Sequence, residues 1–166
     1  MIASSMGAAH VSSAVAALLL GAVVLGTSKG TALHRTIGAG YAAAMVILNV
    51  SALAIYRLTG HFEPFHALAL LSLATILRGL VPALRRPPGW LMTHYRSMAW
   101  SYVGLLAAAC GEVVVRLLFR AGTFMGSWHI IAGGSAIAIL FVVLGIVVLP
   151  RLRWAEMAHS GQQSPA

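Results

Sequence analysis

Five apolar runs fill almost the whole chain: about 8–26, 33–58, 65–84, 91–119 and 128–149. Several reach the roughly 20 residues that an α-helix needs to cross a bilayer. The breaks between them are short: "TSKG", "TGHFEP", "RRPPGW" and "RAGTFMGS". Lipid offers no water to unpaired backbone groups, so a chain this short can span it only as helices. Composition agrees. The 166 residues are 60% hydrophobic and 8% charged, against about 25% charged in soluble proteins. The expected fold is all-α, a polytopic membrane bundle of about five transmembrane helices. No hydrophilic stretch is long enough for a second domain, so residues 1–150 are read as one helix-bundle domain. The tail 151–166 starts basic and turns polar, and is expected to be disordered.

Net charge is +8. The basic residues lie between apolar runs, which assigns them to topology and lipid headgroups rather than nucleic acid. Lys29, Arg35, Arg78, Arg85, Arg86, Arg96, Arg151 and Arg153 fall on one side, and Arg57, Arg116 and Arg120 on the other. That asymmetry puts the C-terminus in the cytoplasm and the N-terminus outside, in the inner or plasma membrane. No Lys or Arg precedes the first run, so it is read as a retained helix rather than a secretory signal. Cys110 is single and sits in an apolar run, so it has no internal disulfide partner.

Histidine recurs at helix starts: His10, His34, His66, His94 and His129. Helices alternate in direction, so the starts of the second and fourth share one side, and those of the third and fifth share the other. This gives two pairs at two depths, His34 with His94 and His66 with His129. A haem with two axial imidazoles needs one histidine from each of two facing helices. One turn onward, His34 is followed by Gly38 and His129 by Gly133, which leaves room for a flat ring. His66 is followed by Leu70, with Ala69 one residue nearer, and His94 by Met98. Lys29, Arg35 and Arg96 lie where haem propionates would need cations.

The layout resembles cytochrome b561, a family of transmembrane di-haem proteins. The resemblance assigns one haem b to His34 and His94 and the other to His66 and His129. It implies electron transfer, and a membrane oxidoreductase role, from quinol or a small reductant. The stretch "KGTALHRTIGAGYAAAMVILNVSALAIYRLTGHFEPFHALALLSLATI", with "HYRSMAWSY" further on, also resembles the bacterial membrane proteins of domain of unknown function 2306. That likeness implies a multi-helix membrane protein and no particular activity.

Glu112 is the only acid inside an apolar run. Arg116, one turn on, is its natural ion-pair partner. By depth it also lies level with His10, His66 and His129, a set that would suit a divalent ion such as zinc or iron. An intramembrane acid also suits proton exchange with a quinol. Ser97, Ser101, Gly104, Ala108 and Gly111 form a small-residue stripe for close helix contact. Trp90, Trp128 and Trp154 fit an aromatic belt. Tyr41 and Asn49 are expected to bond across helices. No nucleophile triad, phosphate loop or CxxC is present. Three readings follow: a b-type haem electron carrier, a non-haem metal protein, and a cofactor-free structural or assembly protein.

Overall fold

The computed structural model describes residues 5–55 and 64–120. They form α1 (Ser5–Gly26), α2 (Ala32–Leu53), α3 (Pro64–Arg85) and α4 (Trp90–Arg120). There is no strand among the described residues. The expected fifth helix, 128–149, and the tail lie outside them. The chain divides into two compact units, Met1–Leu105 and Leu106–Ala166. The expected single domain over 1–150 therefore extends beyond what is described.

Local chemistry sets the helix ends. The Lys29 ammonium caps α1, donating to the carbonyls of Leu25 at 2.8 Å and Thr27 at 2.9 Å. A cation there also opposes the negative end of the helix dipole. Gly30 turns the chain at φ 79°. Thr31 is the N-cap of α2, its hydroxyl accepting from the His34 amide at 3.1 Å. The apolar run after Thr31 continues to Leu58, but the helix stops at Leu53. There the Ala54 amide is shared between the carbonyls of Val50 and Ser51, both at 3.2 Å. Hydropathy alone carries no stop signal before Gly60, which explains the overrun of the expectation. Pro64 is the first residue of α3, a position where its missing N–H costs nothing. Arg86 closes that helix in the left-handed region at φ 53°, its amide donating to the Pro82 carbonyl at 2.7 Å. Pro87 and Pro88 then prevent further helix.

Among the described residues, four spans are long and apolar enough to cross a membrane: Ser5–Gly26, Ala32–Leu53, His66–Arg85 and Trp90–Val114. Large leucines face outward, Leu19 at 65% and Leu84 at 74% exposure. Such surface is intolerable in water and ordinary in lipid. Lipid also removes the hydrophobic drive between helices, so close packing and hydrogen bonds must hold the bundle.

In the first unit, α1 and α2 run antiparallel, with His10 near Ser51 at one end and Leu20 near Gly40 toward the other. The core joins all four helices through Ala17, Tyr41, Ala44, Met45, Ile76 and Leu105. Helices α2 and α4 run parallel in a seam whose steps alternate four and three residues. His34, Gly38, Tyr41 and Met45 lie on one side, and His94, Met98, Ser101 and Leu105 on the other. That is coiled-coil spacing. Two layers make direct contact: the His34 and His94 rings, and a 2.8 Å hydrogen bond between Tyr41 and Ser101. Ser101 gives its own proton to the Met98 carbonyl at 2.7 Å, so Tyr41 is the donor between the hydroxyls. Tyr41→Phe should cost about 0.5–1.5 kcal/mol, read as a lower melting temperature in detergent.

Two expectations need correction. Asn49 donates to the Met45 carbonyl of its own helix at 2.7 Å rather than to another helix; an amide four residues from a carbonyl finds it first. Of the small-residue stripe, Ser97, Ser101 and Gly111 are buried, whereas Gly104 and Ala108 are exposed. Ser101 lies on the seam with α2, and Ser97 lies beside Gly79 of α3.

Candidate histidine site

At the end where α1 and α3 finish and α2 and α4 begin, two histidines face each other. His34 sits on the first turn of α2 and His94 on the second turn of α4, their ring centroids 6.5 Å apart and their planes at 81°. His94 Nδ1 lies 2.9 Å from the Gly79 carbonyl. A carbonyl only accepts, so Nδ1 carries the proton and Nε2 keeps its lone pair. This contact depends on how closely α3 approaches α4. A methyl at Gly79 would lie 3.0 Å from Met98 Cε and 3.1 Å from Ser97 Cβ. The Trp90 ring lies 6.2 Å from that of His94, and the Arg86 guanidinium sits 5.8 Å over the Trp90 ring, a cation–π contact.

His34 is different. Its Nδ1 is buried and has no hydrogen-bond partner among the described residues. A buried polar atom without a partner is costly and calls for an explanation such as an unseen ion or ligand. Around the pair, Arg35, Arg85, Arg86 and Arg96 are exposed. The described residues of the first unit include no carboxylate. Lys29, grouped with these cations in the sequence reading, is committed to the end of α1.

Thus one proposed pair, His34 and His94, meets. The other is half described: His66 is buried at 5% exposure, and His129 lies outside the described residues. At that opposite end His10 Nδ1 is 3.2 Å from Ser51 Oγ. Ser51 donates its proton to the Leu48 carbonyl at 2.9 Å, so His10 is the donor to Ser51. Among the described residues no three His, Cys, Asp or Glu side chains gather as a metal site requires. Glu112 is exposed, and the side chain of Arg116 is outside the described set. The sequence reading missed Gly79. Nothing in the sequence marks it, because Gly38 and Gly104 are also helix glycines, and a methyl on either meets nothing within 4 Å.

The fold defines a multi-pass α-helical integral membrane protein with a histidine pair at one end of its bundle. The chain belongs to the family described as predicted membrane proteins of domain of unknown function 2306 (DUF2306), whose model matches residues 7–150. No curated protein and no solved structure matches it.

Proposed function

We propose that this protein carries a haem b held by His34 and His94 and passes electrons within the membrane. The His34–His94 pair carries the reading. Their rings stand 6.5 Å apart, centre to centre, with planes at 81°, near enough for one group to be held between His34 and His94. His94 has its tautomer fixed by Gly79, the arrangement metal-binding histidines use. The orphaned Nδ1 of His34 is the kind of atom a ligand site leaves behind. When bound, a haem supplies one-electron chemistry. The chain's own residues hold and orient it, and Arg35 and Arg96 are available to its propionates.

A second haem at His66 and His129 would extend the path across the bilayer, with quinol or a small reductant as donor. The basic residues favour a cytoplasmic His34 end. The runner-up is a cofactor-free structural protein. The His94–Gly79 bond favours it, because it ties α3 to α4 without any ligand.

The test is an absorption spectrum of the purified protein in detergent, before and after dithionite. The expected result is a sharp α-band at roughly 560 nm on reduction, as for bis-histidine haem b. Protein that stays colourless after haem is supplied would replace this reading with the structural one.

A further inference from the structure

The seam between α2 and α4 has a gap, and it lies directly below the histidine pair. Gly38 is one turn along from His34, on the stripe that faces α4. Its opposite number is Met98, one turn along from His94. In a filled seam a side chain at 38 would meet a partner. Instead, a methyl built on Gly38 would find no atom within 4 Å. Met98 does not fill the layer, because its tip packs toward Gly79 of α3. One layer deeper the seam closes with the Tyr41–Ser101 bond, and beyond it Met45 and Leu105 join the core. The gap therefore has histidines above it and a hydrogen-bonded floor below.

Resting on the haem reading above, we infer that this gap seats the edge of the macrocycle and that Gly38 is the residue that sizes the site. A ring bound between imidazoles from two facing helices lies between those helices. Held there, it would extend along the helices toward the Gly38 level, which lies one helical turn of about 5.4 Å from His34. Gly38 is thus a positioning residue, and the Tyr41–Ser101 bond limits how deep the ring can go. A glycine in mid-helix is otherwise a cost, and no neighbour within 4 Å of its Cβ position requires one.

The experiment uses the full chain with Gly38→Leu, Gly38→Ala and, as a control, Ala39→Leu, which adds bulk at an exposed position on the same turn. Haem per protein is measured by absorption alongside monodispersity and melting temperature of the haem-free form. Gly38→Leu should cut occupancy of the haem that His34→Ala also removes by at least tenfold, with the control unchanged. Gly38→Ala should raise the melting temperature of the haem-free form while weakening haem binding, opposite signs that general misfolding cannot produce. Should Gly38→Leu fail to fold, Gly38→Ala decides alone. Wild-type haem affinity and spectrum in the Gly38 variants that fold would overturn this inference and leave the haem reading standing. A wild-type protein that takes up no haem overturns both.

Discussion

On the haem proposal, replacing His94 with alanine should remove the haem at the His34 end entirely, and it should also loosen α3 from α4. The two effects arise from the two sides of one ring. One nitrogen is free for a metal, and Nδ1 donates to Gly79 at 2.9 Å. Losing that bond should cost about 0.5–1 kcal/mol, the range of single hydrogen bonds between membrane helices. His34→Ala separates the roles. It should abolish the same proposed haem, because His34 would be one of the two residues holding it, yet leave the haem-free form as stable as wild type. His34 makes no side-chain hydrogen bond to a described residue through Nδ1, and that atom is a burial cost rather than an asset. Haem content and melting temperature of both variants decide the matter. A structural clasp predicts a lower melting temperature in His94→Ala and no spectral difference anywhere. Retention of all bound haem in both variants would sink the pairing of His34 with His94.

That His34 and His94 share one end of the bundle was readable from spacing, and it is instructive why. Helix direction alternates in a chain with short connections, so two residues early in α2 and early in α4 must share an end. Their lateral meeting needed one thing more, the constant offset of 60 between facing residues: 34 with 94, 41 with 101. Helix extents were legible where chemistry marked them. Pro64 starts α3, just ahead of the run read from 65, and "RRPPGW" ends it. The end of α2 was not legible, since "LAIYRL" holds no Gly or Pro to break a helix. Function of the small side chains was the least legible. Gly79, Gly38 and Gly104 look alike in sequence, yet one admits a neighbouring helix, one faces a gap and one is exposed. Which role a glycine plays is set by the helix opposite, and hydropathy does not encode that. Lys29 and Asn49 went astray for a related reason: each found a nearby carbonyl before any distant partner.

Gly21→Ala should be the most damaging single methyl in the bundle. Gly21 is buried in α1 where two tyrosines cross. A methyl there would clash with the Cδ2–Cε2 edge of the Tyr102 ring and lie 3.0 Å from Tyr41 Cε2. Neither ring has an easy retreat. Tyr102 is held to the Leu18 carbonyl through its hydroxyl at 3.1 Å, Tyr41 is held to Ser101 at 2.8 Å, and the two rings lie edge to face at 6.2 Å. Relieving the clash must break one of these bonds or move α1 away from α2. Alanine favours helix over glycine by about 0.5–1 kcal/mol, whereas overpacking costs about 1–3 kcal/mol, and more where neighbours are pinned. The clash should win, with a net loss of about 2 kcal/mol or more. Gly104→Ala is the matched control. It also lies mid-helix, but a methyl there meets nothing within 4 Å, so only the helix preference remains and the melting temperature should hold or rise. Thermal melts of both variants in one detergent read the comparison directly. If Gly21→Ala melted as high as Gly104→Ala, the tyrosine crossing would not be what holds α1 to the rest of the bundle.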